Sequence, residues 1–252
     1  MKILRFQYKE QIQFGWLNGS EIGLIEGDIF SEYRRLETEF LLERVRVLTP
    51  VSPGKIICVA RNYEEHAREH QVEIPEYPMI FLKPPSALIG NGEAIRIPPQ
   101  SKQVEHEAEL AVIIRKQGKW IDPAEVSSHI LGYTIANDVS ARDLQYRDGQ
   151  WTRAKGFDTF CPLGPWVETE LDPSDLMISC RVNGELRQMS STKEMIFPIN
   201  QLVSYISSIM TLEPGDVILT GTPAGVEKLE AGDIVEISIE GIGVLSNPVM
   251  DL

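Results

Sequence analysis

Apolar and polar residues alternate through the first fifty positions in the rhythm of short strands. Ile3, Phe6 and Tyr8 lead into the run Ile12 to Leu17, and the Asn18-Gly19 dipeptide that follows is a type I′ hairpin signal. Ile22 to Ile25 and a second turn at Gly27-Asp28 continue a small β-meander. Charges at helical spacing between Ser31 and Arg46 predict one short helix. The stretch Thr49-Pro50-Val51-Ser52-Pro53-Gly54 is punctuation. It divides the chain into a small N-terminal β domain (1–50) and a larger domain (51–252).

The larger part mixes short strands, several turns and few helices. Ile56 to Ala60 reads as a buried strand leading into a helix near Asn62, where Glu65 three residues on completes a capping box. Glu107 to Ile114 and Ile130 to Ala136 read as strands, and Asp122 to His129 as a helix. Asn183-Gly184 marks a hairpin. Ile199, Leu202, Val203, Ile206 and Ile209 form a helical stripe with Pro198 at its start. Pro214-Gly215-Asp216 and Ala231-Gly232-Asp233 introduce the strands Val217 to Thr220 and Ile234 to Ile239. The pattern is a β-rich α+β architecture and not an alternating βαβ series.

Composition narrows the function classes. The chain has 252 residues, 42% apolar and 24% charged, the ordinary make-up of a folded protein. A net charge of −13 argues against binding nucleic acid or an anionic membrane surface. Cys58, Cys161 and Cys180 include no C-x-x-C, so a zinc ribbon or dithiol motif is not available. The strongest apolar run, Leu110 to Ile114, is far short of the ~20 residues of a membrane helix. With no secretory leader in the first residues, a reduced, cytoplasmic protein is the expectation.

Chemistry concentrates in a few segments. On a strand, Glu107 and Glu109 share one face, about 6.6 Å apart along the pleat, opposite Ala108, Leu110, Val112 and Ile114. Such a pair can converge on one cation, although an E-x-E alone more often lies on a solvated edge, and Glu105 points the same way. Asp138 ends the apolar run Ile130 to Ala136 and offers a third acid, or a helix N-cap. Two Glu and one Asp form an all-oxygen set suited to Mg²⁺ or Mn²⁺. On the helix near Asn62, His66 and Glu69 stand at i, i+3, spacing for a pair that could deprotonate a water. His66 to His70 also spells H-x-x-E-H, a zinc-peptidase spacing. Lys155, flanked by Gly156 and Phe157, is a candidate buried cation, and Thr222 in Gly221-Thr222-Pro223-Ala224-Gly225 could hold an anionic substrate. G-x-S-x-G, the Walker A loop and a Rossmann glycine set are absent.

In order, Ala60-Arg61-Asn62-Tyr63 with His66 and Glu69, Phe81-Leu82-Lys83-Pro84, Glu107-Ala108-Glu109-Leu110, Asn137 to Asp143, Lys155 to Thr159 and Leu219 to Pro223 resemble the fumarylacetoacetate hydrolase family. The likeness is greatest to its short acylpyruvase, oxaloacetate decarboxylase-tautomerase and 2-hydroxyhepta-2,4-diene-1,7-dioate isomerase members, and it runs from about Lys55 to the C-terminus. Ala60 departs from the glycine commoner before Arg-Asn-Tyr. The resemblance implies a mixed β-sandwich roll that dimerises, with Glu107, Glu109 and Asp138 binding Mg²⁺ (Mn²⁺ or Ca²⁺ as substitutes). It assigns His66 and Glu69 to water activation or proton shuttling and Lys155 to the developing anion. Arg61, Tyr63, Lys83, Arg142, Gln145 and Thr222 become substrate contacts.

The implied substrate is a small 2-oxo acid, converted through a stabilised enolate. The leading expectation is C–C hydrolysis of an acylpyruvate-type β-diketo acid. The alternative is isomerisation, tautomerisation or decarboxylation of a 2-oxo dicarboxylic acid. The rival from another class is a zinc peptidase using His66 and His70.

Overall fold

The computed structural model describes residues 1–69 and 71–252. Strands β1 (Lys2–Tyr8), β2 (Gln11–Asn18) and β3 (Glu21–Gly27) form the expected antiparallel meander. Asn18 pairs with Glu21, however, so the β2–β3 turn is Gly19-Ser20 with positive φ at Gly19 alone, and not the type I′ turn expected at Asn18-Gly19. The segment expected as a helix is instead β4 (Tyr33–Leu41), followed by a 3-10 turn at Leu42–Arg44. Leu36, Thr38 and Phe40 are half-buried between exposed Glu37 and Glu39, a period of two that suits a strand. Strand β3 supplies the pairing edge, and the Leu36 carbonyl accepts a hydrogen bond from Trp16 Nε1 at 2.9 Å.

Strand β5 (Arg46–Val47) precedes β6 (Ile56–Ala60), helix α1 (Glu64–Glu69) and β7 (Met79–Lys83). Short strands β8 (Leu88–Ile89), β9 (Ile95–Ile97) and β10 (Val104–Glu105) lead to β11 (Ala108–Ile114). Only a 3-10 turn at Val126–His129 occupies the end of the helix expected from Asp122, whose carboxylate turns back on the Ala124 N–H at 2.9 Å. Next come β12 (Ile130–Asn137), β13 (Ser140–Ala141), α2 (Arg142–Asp148), α3 (Thr152–Lys155) and β14 (Cys161–Glu168). The hairpin β15 (Met177–Val182)/β16 (Glu185–Ser191) turns at Asn183-Gly184, and the apolar stripe after Pro198 is α4 (Ile199–Ile209). Strands β17 (Val217–Leu219), β18 (Ile234–Ile239) and β19 (Gly243–Asp251) complete the chain.

The main sheet runs β4-β3-β2-β1-β14-β12-β11-β17-β6-β7, and a second sheet runs β16-β15-β18-β19-β9. Most pairs are antiparallel, but β17–β6, β14–β8 and β19–β9 are parallel, so both sheets are mixed. Strand β1 pairs with β14 through Lys2↔Glu168 and Ile3↔Val167, so the leading meander and the larger segment share one sheet.

Strand β11 sits between two apolar layers, and all seven of its residues are buried. Leu110, Val112 and Ile114 face a core shared with the second sheet (Ile178, Val235, Ile237) and with Leu202 and Ile206 of α4. Ala111 and Ile113 face the opposite core with Ile3, Ile56, Cys58 and Leu219. A strand buried on both faces has little freedom to shift register, because a slip by one residue would bring Glu109 into an apolar layer. Among the described residues, no helix is long and apolar enough to cross a membrane.

Candidate metal centre and active-site cavity

Glu107 immediately precedes β11, Glu109 is its second residue, and Asp138 follows the end of β12. Antiparallel register brings the three acids together despite their separation in sequence. Ala108 pairs with Asn137 and Glu109 with Ala136, and the Asp138 N–H donates to the Glu107 carbonyl at 2.9 Å. The Asn137 side chain accepts from the Glu107 N–H at 2.9 Å and secures the corner. Each acid offers one oxygen within 4.8 Å of the other two, and all three side chains are buried.

Cations surround this cluster. Lys155, the last residue of α3, donates to Glu107 Oε2 at 2.8 Å and to Asp138 Oδ2 at 2.7 Å. Lys83, at the end of β7, donates to Asp138 Oδ1 at 2.5 Å and to the Val139 carbonyl at 3.1 Å. Arg142 donates to Glu107 Oε1 at 2.5 Å and to Glu105 Oε2 at 2.7 Å, and also to Gln145 Oε1. The Ser140 hydroxyl reaches Glu107 Oε1 at 3.0 Å. Glu109 takes one backbone bond, from the Gly221 N–H at 2.6 Å. A left-handed φ of +97° suits glycine there, and a Cβ at Gly221 would lie 2.7 Å from Asn62 Cβ.

These surroundings separate the two glutamates electrostatically. Burial pushes the Glu107 carboxyl up, but the Lys155 and Arg142 charges outweigh it and hold the pKa well below the ordinary range. Glu109 goes the other way. Burial raises its pKa, and the Asp138 and Glu107 charges push it well above the usual value. Burial works against the Lys155 ammonium, yet Asp138 and Glu107 raise its pKa. Three cations therefore face four buried carboxylates, and Glu109 is the one short of positive charge. An all-oxygen donor set with that deficit fits a hard divalent ion.

The cluster opens into a cavity of ≈ 550 Å³. Glu107, Glu109, Asp138, Lys155 and His66 line it, with Arg61, Arg142, Gln145 and Thr222. Phe81 and Trp151 form an aromatic wall, edge to face at 5.2 Å, and the Lys155 ammonium lies 5.2 Å from the Phe81 ring centre. On α1, His66 Nδ1 stands 3.4 Å from Glu69 Oε2. Glu69 also receives the Gly225 N–H at 3.1 and 3.2 Å, which ties α1 to the loop carrying Thr222.

Some sequence expectations are corrected here. Lys83 and Tyr63, expected at the substrate, are not among the residues that line the cavity. Lys83 stands behind Asp138, bonded to its carboxylate, and Tyr63 is buried beside Met195. Asn62 does not cap α1. Its amide donates to the Phe197 and Thr220 carbonyls at 3.1 and 2.8 Å and accepts from the Phe197 N–H at 2.8 Å. The neighbouring Arg61, which lines the cavity, has a left-handed φ of +56°. His70, which the peptidase reading requires, lies outside the described residues. The pairing of Arg142 with Glu105 and the inward placement of Gln188 were not anticipated. Gln188 is buried where its strand exposes Leu186 and Met189, a reversal of apolar-in, polar-out that flags an inward polar side chain.

Fold and site together define a β-rich enzyme with a buried three-carboxylate centre beside a mixed-polarity cavity. Residues 55–250 match the family described as fumarylacetoacetate (FAA) hydrolase C-terminal, and residues 1–50 match one described as Rv2993c-like, N-terminal. The chain belongs to the fumarylacetoacetate hydrolase family. It is 47% identical over 219 residues to the mitochondrial oxaloacetate tautomerase Fahd2a of Rattus norvegicus, covering 82% of this chain and 70% of the relative. The crystal structure of 2-hydroxyhepta-2,4-diene-1,7-dioate isomerase from Mycobacterium marinum superposes with a TM-score of 0.93 at 43% identity, over 100% of this chain and 98% of that one. Maleylpyruvate hydrolase from Sphingobium sp. SYK-6, solved with manganese(II) and pyruvate, superposes at 0.83 with 29% identity, over 100% and 99% of the two chains.

Proposed function

We propose that the protein is a Mg²⁺-dependent tautomerase or isomerase of a 2-oxo dicarboxylic acid. The observation that carries this reading is the ranking of relatives. Identity is 47% to a tautomerase and 43% to an isomerase, but 36% and 29% to two hydrolases. The C–C hydrolysis expected first from the sequence is therefore the second reading, kept because those hydrolases share the fold at TM-scores of 0.91 and 0.83.

Glu107, Glu109 and Asp138 would hold the metal ion, which supplies positive charge that lowers the free energy of an enolate. The remaining steps need only proton movement and charge balance. His66, paired with Glu69 at 3.4 Å, is placed to take a proton at the carbon next to the 2-oxo group and return it elsewhere. The Lys155 ammonium, fixed by Glu107 and Asp138, supports developing negative charge. Arg61 and Arg142, which both line the cavity, offset a dianionic substrate. A homodimer and a cytoplasmic setting belong to the same proposal.

A split assay tests the reading. Enol absorbance is followed for a C4 2-oxo dicarboxylic acid and for acylpyruvates, each with and without Mg²⁺, while released pyruvate is measured in parallel. Loss of enol signal from the dicarboxylic acid without pyruvate release supports the tautomerase. Pyruvate released from an acylpyruvate at a higher kcat/KM would transfer the assignment to hydrolysis.

A further inference from the structure

Behind the cavity wall at Thr222 stands Gln188 of β16, which is fully buried and does not reach the cavity. Its Oε1 accepts from the Ala108 N–H at 3.0 Å and from His106 Nδ1 at 3.0 Å. Its Nε2 donates to Thr222 Oγ1 at 2.9 Å and to the Pro223 carbonyl at 2.7 Å. The two backbone partners decide which end of the amide is which, because an N–H can only donate and a carbonyl can only accept. Every hydrogen-bonding position of this amide is used.

The polarity propagates outward. His106 Nδ1 faces an acceptor, so it carries the ring proton, and Nε2 meets no partner among the described residues. Thr222 Oγ1 receives the Gln188 amide and passes its own proton to the Ala108 carbonyl at 2.8 Å. Ala108 separates Glu107 from Glu109. Its N–H is held by Gln188 and its carbonyl by Thr222, so one side chain governs the peptide units between two carboxylates and the rotamer of a cavity residue.

We propose that Gln188 is a positioning residue, which sets the spacing of Glu107 and Glu109 through Ala108 and the hydrogen-bonding direction of Thr222, coupling the carboxylate centre to the substrate side of the cavity. The coupling rests on the reading that this cavity binds the 2-oxo acid and the ion. Gln188→Glu keeps the shape and the acceptor toward Ala108 but removes the donor arm. The Thr222 hydroxyl then turns to the new carboxylate and releases the Ala108 carbonyl. Gln188→Met removes both arms.

The test combines a double-mutant cycle with two measurements that need no turnover. KM and kcat for the best 2-oxo acid are compared in wild type, Gln188→Glu, Thr222→Val and the double variant. Mg²⁺ affinity is read by calorimetry without substrate, and the His106 tautomer by ¹⁵N NMR. Gln188→Glu should raise KM about tenfold, the worth of one hydrogen bond to a buried partner, with Mg²⁺ affinity within about twofold. Gln188→Met should weaken Mg²⁺ binding about tenfold or more, as loss of outer-shell support does. In the Thr222→Val background, Gln188→Glu should add less than about twofold to KM, because its route is gone. Fully additive KM effects, or a His106 protonated at Nε2 in the wild type, would overturn the proposal. Should no 2-oxo acid be turned over, the functional reading fails, while the tautomer still decides the role of Gln188. Should Gln188→Met not fold, the cycle and the tautomer still decide.

Discussion

Lys155 Nζ lies 2.7 Å from Asp138 Oδ2, with each side chain about 2% exposed. Asp138 keeps Lys83 and Glu107 keeps Arg142, but losing the Lys155 charge deepens the deficit at the four buried carboxylates, and breaking a buried pair costs up to about 3–5 kcal/mol. Lys155→Met should therefore lower the melting temperature of the metal-free protein, and saturating Mg²⁺ should restore much of it. An ion present at a hundred times its Kd contributes about 2.7 kcal/mol. Calorimetric scans with and without Mg²⁺ check this. Equal destabilisation in both conditions would separate Lys155 from the proposed ion site.

His66 and Glu69 are assigned to proton transfer and not to holding the ion. His66→Ala should reduce kcat at least about a hundredfold, the usual scale of general acid–base catalysis, while Mg²⁺ affinity stays within about twofold. Exchange of the substrate C3 protons in D₂O, followed by NMR, should slow in parallel. An unchanged exchange rate would remove His66 from the mechanism.

Asn62 holds the Phe197 and Thr220 backbones from a fully buried position. Asn62→Ala orphans these groups and should cost about 2–3 kcal/mol, or roughly 4–12 °C in melting temperature. Arg61 should lose its left-handed backbone in the same variant, and the loss should appear as a higher KM. A variant with wild-type melting temperature and KM would refute this role of Asn62.

Acid stability offers a check at Asp143, the residue after Arg142. Burial pushes the Asp143 carboxyl up, but the Ser101 hydroxyl at 2.6 Å and the Lys102 N–H at 3.0 Å outweigh it, and the pKa is lowered. A depressed acid contributes stability above its unfolded pKa and loses it as pH falls through the folded one. Asp143→Asn should therefore lower the melting temperature near neutral pH, and the gap should close toward strong acid. A gap of constant size from pH 7 to pH 3 would contradict this.

The strands flanking the site were readable because their signals are local. Asn183-Gly184 takes the turn it signals, with both residues at positive φ, and the Leu110 to Ile114 run belongs between two cores. The acidic trio was legible as a set through the family resemblance, because the antiparallel register that joins the ends of the two strands is not contained in either segment alone. Strand β4 was not legible. Its charges fit a helix as well as a strand, and the choice is made by β3, which supplies an edge that no short window contains. The place of Lys83 was not legible for a similar reason. Its motif marks it as important, but only the tertiary structure shows that it bonds to the far side of Asp138. The role of Gln188 lay beyond reach, whatever its strand pattern hints about burial, because its partners stand 34, 35, 80 and 82 residues away.

The docking of β1 against β14 bears on how far the chain can be trimmed. Deleting residues 1–50 would bare the β14 backbone around Val167 and Glu168 and empty the niche filled by Ile3. A rim of unmet amides and carbonyls recruits whatever extended segment drifts by. The shortened polypeptide should clump with its own kind in solution, and light scattering would register that before any loss of chemistry. The leading meander acts as a hem that keeps the main sheet from unravelling into its neighbours.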